Sequence, residues 1–186
     1  VVPQLARSFG VFFTDNELRN RKFFGAKIIP AGGAWVEFET ESDDCIYVRI
    51  DRKRKFPFTY LLKIFADLAG PLRRSDSEAS RTLTNEDIAA LFAAVPNARP
   101  YIAKTLTRDS TTSADEAYLE VYRRLRDSDL ASVASAREFL TALFSREKYD
   151  LSVIGRLRLN ERFHAGTVAE TGDGKLRITL ELKRPA

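Results

Sequence analysis

Five cations and a single carboxylate are packed into Tyr47-Val48-Arg49-Ile50-Asp51-Arg52-Lys53-Arg54-Lys55, a local charge of +4 that equals the formal surplus of the whole 186-residue chain. The rest of the chain is therefore close to neutral, and its basic character is concentrated in one short segment. Guanidinium groups suit phosphates, because each carries a planar fork of donors that never loses its charge. The segment also has a defined seat. Ile46, Val48 and Ile50 alternate with Tyr47, Arg49 and Asp51, the two-residue period of a strand with one buried face.

Ala34 to Thr40 reads as a neighbouring strand, with Val36 and Phe38 on one face and Trp35, Glu37 and Glu39 on the other. An indole on the carboxylate side of a strand asks for a partner, since burying it is strongly favourable. Two partners are open: a loop or domain that packs over Trp35, or a nucleic-acid base that stacks on it, a contact worth about 1–3 kcal/mol. The basic run is likewise either a solvated charge cluster or a phosphate-binding fork. Glu37 and Glu39 have the residue types for holding a cation or for acid–base work. A solvated sheet face is the simpler reading of the pair.

Other chemistry has little support. Gly32-Gly33 lacks the spacing and the following lysine of a phosphate loop. One histidine, His164, and one cysteine, Cys45, are too few for a zinc site or a nucleophilic set. No Asp-x-Asp-x-Asp cluster occurs, so no self-contained polymerase or nuclease centre is expected. The chain reads as a binder with no catalytic residue and no metal or cofactor of its own. No apolar run nears the roughly 20 residues of a membrane span. A lone cysteine cannot form an internal disulfide, which fits a reducing, cytoplasmic setting. With no methionine in the sequence, Val1 is expected to lie inside a longer reading frame.

The elements that must hold the basic strand fall into blocks. Residues 1–13, mostly apolar, predict a buried connector or strand with a turn at Gly10, and Thr14 to Lys22 predicts a hairpin loop. Phe23 to Pro30 reads as a strand and Ala31-Gly32-Gly33 as a turn. Phe56 to Ala69 predicts a helix with Pro57 in its first turn, and Leu72 to Arg81 a linker. Thr84 with Asp87 opens a short helix through Ala94. Ser113 with Glu116 opens Ala114 to Arg126, where Leu119, Tyr122 and Leu125 face the core. Ser132 to Phe144 is a further helix. Asp150 to Phe163 is basic and alternating, and Thr167 to Lys183 reads as a terminal hairpin around Thr171-Gly172-Asp173-Gly174. Sheet and helices in blocks argue for an α+β fold: a small antiparallel sheet with a helical subdomain and a C-terminal hairpin.

Five segments in series resemble the beta subunit of bacterial DNA-directed RNA polymerase. Val2-Pro3-Gln4-Leu5-Ala6-Arg7-Ser8-Phe9-Gly10-Val11-Phe12-Phe13 is similar to the family's V-x-Q-L-x-R-S-P-G-V-x-F. Ala26-Lys27-Ile28-Ile29-Pro30 with Gly33-Ala34-Trp35-Val36-Glu37-Phe38-Glu39 resembles A-x-I-I-P and G-S-W-L-D-F-E. Val48 to Lys55 is similar to V-R-I-D-R-R-R-K. Tyr118 to Arg126 resembles a later helix of the family, and Lys148 to Arg156 its R-Y-D-L-S-x-V-G-R.

The resemblance implies a connector strand from the protrusion at 1–13, the lobe domain at 14–163 and a divergent tail at 164–186. In that family the lobe forms one side of the downstream DNA cleft. Trp35 then corresponds to a tryptophan that stacks on an unpaired nontemplate-strand base, and Arg7, Asp51, Arg52 and Arg54 to residues along the adjacent single-strand path. Arg49 shares the outward face with Trp35 and joins the DNA-binding set. Gln4 corresponds to a wall residue of the rifamycin pocket. The implied partners are downstream duplex DNA, the nontemplate single strand, the beta-prime and alpha subunits and a sigma factor, with no membrane. The catalytic aspartates belong to beta-prime, so Mg2+ in the assembled polymerase is held by another subunit. Three departures stand out. Phe9 replaces the family proline, the segment from Gly70 to Arg99 is short, and a hairpin-like tail follows Phe163 where the family continues with a helix. The competing expectation is a non-catalytic scaffold that docks another protein through the basic fork and Trp35.

Overall fold

The computed structural model describes residues 9–18, 20–69, 83–127, 131–145, 147–163, 168–170 and 176–178. Five antiparallel strands form one sheet in sequence order: β1 (Gly10–Leu18), β2 (Arg21–Ile29), β3 (Val36–Thr40), β4 (Ile46–Ile50) and β5 (Phe56–Pro57). Among the described residues six helices follow: α1 (Phe58–Ala69), α2 (Asn85–Leu91), α3 (Arg99–Arg108), α4 (Ala114–Arg126), α5 (Val133–Leu143) and α6 (Ser152–Phe163). The chain is α+β, as its sequence predicts. Two further strands, β6 (Val168–Glu170) and β7 (Leu176–Ile178), pair antiparallel. The turn of the predicted terminal hairpin, the linker Leu72 to Arg81, Gln4 and Arg7 lie outside the described residues.

The register of β3 against β4 pairs Val36 with Ile50 and Phe38 with Val48. Val36, Val48 and Ile50 are buried and meet Tyr60, Leu61 and Ile64 of α1 in the main core. The opposite face carries Glu37, Glu39, Tyr47 and Arg49, so the period-two reading of both strands holds. Asp44 makes the β3–β4 connection possible. It adopts a left-handed conformation (φ 60°), which Asp tolerates, and its N–H donates to the Glu41 carbonyl at 2.9 Å. Its carboxylate then takes Arg21 and Lys104, each at 2.5 Å.

Several elements differ from their sequence reading. Thr14–Lys22 is no loop: Thr14–Leu18 ends β1 and Arg21–Lys22 begins β2, with the turn at Asn20 (φ 61°). Polar residues on both faces hide this strand, yet its ladder to β2 pairs the backbone groups on that side, and the exposed hairpin end leaves those of its outer edge to water. Phe56–Pro57 pairs with Tyr47 and Val48 as β5, and α1 starts two residues later than predicted, at Phe58. The residue before a proline is driven to extended backbone, so Phe56 cannot open the helix. The alternating segment after Asp150 is α6. There the Asp150 carboxylate accepts the Ser152 N–H at 3.0 Å and Arg156 at 2.7 Å, satisfying one of the free donors of the helix start.

Local signals placed α2, α4 and α5, whereas α3, which has no side-chain cap, went unread behind the proline-rich segment Pro96 to Pro100. Thr84 and Asp87 form a reciprocal capping box on α2, and α4 has the predicted bounds, with Ser113 accepting from the Glu116 N–H. The inward stripe of α4 is Ala114, Ala117, Tyr118, Val121 and Leu125, all buried. Leu119 and Tyr122 only flank the core, because the buried stripe runs through Ala114, Ala117, Tyr118, Val121 and Leu125 at helical spacing, one position out of phase with them.

Candidate nucleic-acid interface

The basic strand leaves the sheet through a tight turn with no glycine in it. Asp51 (φ 49°) and Arg52 (φ 58°) both lie in the left-handed region, and the Lys53 N–H closes the turn on the Ile50 carbonyl at 3.0 Å. Two successive left-handed residues define a type I′ turn, which costs an L-residue of this kind about 1–2 kcal/mol at each position. Trp35 supplies the compensation. Its N–H donates to the Asp51 carboxylate at 2.8 Å, and its carbonyl accepts the Asp51 N–H at 2.9 Å. The start of β3 is thus tied to the end of β4 at the point where the charges emerge.

The Trp35 indole lies outside the apolar core and is half-buried. The Arg52 guanidinium sits over its ring, 5.3 Å from the centroid. The indole and the basic turn therefore share one place.

The cations of the segment divide into two kinds. Arg49 is ion-paired with Glu39 at 2.7 Å. Lys55 is ion-paired with Glu41 and lies 4.4 Å from the Tyr47 ring centroid. Lys27 takes Glu37 in the same way. The two carboxylates that have the types for acid–base work are therefore spent on cross-strand cations, and Arg49 is held on the sheet face. Arg52, Lys53 and Arg54 are exposed. Arg54 has only a 3.7 Å approach to an exposed Asp127, a pairing worth little in water. The fork that projects is Arg52-Lys53-Arg54.

A segment far along the chain supports this turn from behind. Asp150 and Gly32 exchange backbone hydrogen bonds at 2.9 and 3.1 Å, and the Ala31 N–H adds a third at 2.7 Å. Tyr149 packs onto Gly33, and its hydroxyl is pushed up to about 12 by burial and by the charge of Asp51. Gly33 is at φ 108°, and a Cβ there would stand 2.9 Å from the Tyr149 ring. Gly33→Ala is therefore expected to destabilise the chain by about 1–3 kcal/mol through left-handed strain and the clash. Thermal unfolding measures this, and a loss below about 0.5 kcal/mol would mean that the turn has another conformation available.

Cys45 is buried, with its thiol donating to the Lys104 carbonyl at 3.4 Å. Burial, then the neighbouring Asp43 charge, pushes the thiol up, so it stays protonated. Among the described residues no three His, Cys, Asp or Glu side chains are grouped to hold a metal ion, and no helix is long and apolar enough to cross a membrane.

Sequence reasoning missed the Asp51–Trp35 clasp, the Tyr149 support and a buried ion pair. Lys63, in the middle of α1, and Asp109, after α3, are both wholly buried and meet at 2.9 Å. Lys63 also donates to the Thr111 carbonyl and hydroxyl at 2.6 and 3.0 Å. The one visible signal is a lysine between Leu62 and Ile64 in an apolar run.

Comparison with known proteins finds a likeness over about nine-tenths of the chain. The chain is 36% identical over 179 residues to the DNA-directed RNA polymerase subunit beta of Lysinibacillus sphaericus, a match that covers 92% of this chain and 13% of that protein. It is 37% identical over 166 residues to the subunits beta of Listeria welshimeri and Listeria monocytogenes, each covering 88% of this chain and 12% of the relative. The chain thus spans about an eighth of the length of the curated relatives it matches. No family model matches it.

Proposed function

This chain is homologous to one segment of bacterial DNA-directed RNA polymerase subunit beta, and we propose that it is the lobe segment, which holds nontemplate single-stranded and downstream duplex DNA during RNA synthesis. The observation that carries this reading is the half-buried Trp35 beside the projecting Arg52-Lys53-Arg54. Stacking and phosphate attraction together are how proteins hold single strands without reading their sequence. In this reading Trp35 stacks on an unpaired base, Arg52 and Arg54 engage phosphates, and Asp51 positions Trp35 through its backbone. Arg49 acts from the sheet face, beside its Glu39 partner. Arg7 would line the same path, and Gln4 would stand at the inhibitor pocket.

The domain division follows: 1–13 a connector, 14–163 the lobe and 164–186 a divergent tail. The chain contributes no catalytic group of its own. In this reading another subunit of the cytoplasmic polymerase would hold the Mg2+. Its partners are DNA, the beta-prime and alpha subunits and a sigma factor.

The test is a titration of the 186-residue chain with single-stranded DNA over a range of salt concentrations. Each lost phosphate contact lowers the salt slope by about 0.7 for a single strand. Arg52→Gly with Arg54→Ala is expected to lower it by about 1.4. An unchanged slope removes both residues from the interface.

A second reading has its own observation. Val153, Ile154 and Leu157 of α6 are 70%, 56% and 54% exposed, a run of apolar side chains that suits a protein surface. A docking scaffold would use such a surface and show no salt-dependent binding of single strands.

A further inference from the structure

The Arg52 guanidinium and a base compete for the same indole. Arg52 lies over the Trp35 ring at 5.3 Å, and its side chain is exposed. The left-handed backbone at Arg52 and the Asp51–Trp35 clasp keep the two residues together. An exposed cation–π contact shifts an equilibrium by only roughly two- to five-fold. A stacked base shifts it by roughly five- to 150-fold. The base therefore wins the face, and the displaced guanidinium needs a new partner.

We propose that Arg52 is a cover on Trp35 that discriminates between ligands: a base arriving with a backbone phosphate displaces it and gives it an anion, whereas an uncharged aromatic ligand must displace it without return. The site would thus select phosphodiester-linked nucleotides over free nucleosides and other neutral rings. This inference rests on the reading of Trp35 as a stacking platform and adds the chemical class that the platform accepts. Lys53 and Arg54, exposed beside it, supply general attraction but do not lie over the ring.

Trp35 is the chain's one tryptophan, so its emission reads the site directly. Arg52→Gly removes the side chain and suits the φ of 58°, because glycine adopts left-handed backbone freely. Three titrations of the full chain form the test, with acrylamide, adenosine and a short single-stranded oligonucleotide. In Arg52→Gly, acrylamide is expected to quench Trp35 at least 1.5-fold more steeply. Adenosine should bind roughly two- to five-fold tighter, the strength of the lost cation–π contact, and the oligonucleotide more weakly. Arg52→Lys, which keeps the charge as a point, should restore most of the oligonucleotide affinity. Unchanged acrylamide quenching overturns the cover. Changes of the same sign for adenosine and the oligonucleotide overturn the discrimination while leaving stacking intact. Emission unmoved by both ligands, in the native chain and in Arg52→Gly, overturns the stacking reading and the proposal together.

Discussion

Trp35→Ala is expected to weaken binding of single-stranded DNA by roughly five- to 150-fold, the equivalent of one base–indole stack, with duplex affinity nearly unchanged. The asymmetry has a structural basis. The bonds that tie Trp35 to Asp51 use the Trp35 backbone N–H and carbonyl, so alanine keeps the clasp and the turn. The exposed Arg52-Lys53-Arg54 fork stays in place and continues to attract phosphates in either form of DNA. Only the platform for an unpaired base is lost. Fluorescence anisotropy with labelled oligonucleotides, on the chain and on the assembled polymerase, measures both affinities. An equal loss on single strand and duplex would count against stacking.

The largest effect on stability is expected at Lys63. Lys63→Met strands a wholly buried Asp109 without its cation, which costs about 3–5 kcal/mol, a large part of the stability of a domain this size. The pH dependence has a definite sign. Burial pushes the Asp109 carboxyl upward, but the Thr111 hydroxyl and amide and the Lys63 ammonium outweigh it and hold the carboxyl below its ordinary value. A depressed carboxylate stabilises the fold above its unfolded pKa, about 3.9, and that contribution disappears as pH falls through the folded value. The native chain should therefore lose stability below about pH 4. The gap between native and Lys63→Met should narrow there, because protonated Asp109 no longer needs the cation. Urea unfolding at pH 7 and pH 3 tests both statements. A cost below about 1 kcal/mol at pH 7 would show that water reaches the pair.

How legible these features were in the sequence depended on the range of the interactions behind them. Val36, Phe38, Ile46, Val48 and Ile50 announced β3 and β4 because alternation is a local signal, and Thr84 and Ser113 announced helices because capping spans three residues. The Lys63–Asp109 pair joins residues 46 apart and left no pattern. The turn at Asp51 and Arg52 was invisible for a different reason. Left-handed backbone is ordinarily marked by Gly or Asn, whereas here a contact with Trp35, 16 residues earlier, makes it tolerable. The Thr14–Leu18 end of β1 was misread because the tip of an edge strand, standing clear of the core, need not alternate. Of the predicted interface residues, Trp35, Asp51 and Arg52 come together directly. Arg54 projects from the same fork, Arg49 is paired on the sheet face, and Arg7 and Gln4 lie outside the described residues.

The most direct measurement is the emission of Trp35 while the chain is titrated with a single strand and with a duplex of equal length. Saturable quenching by the single strand, weakening as salt rises, with little response to duplex, is the expected result. Emission that stays constant while the single strand binds, or that falls equally with both forms, would contradict a stacking platform set beside a phosphate-binding turn.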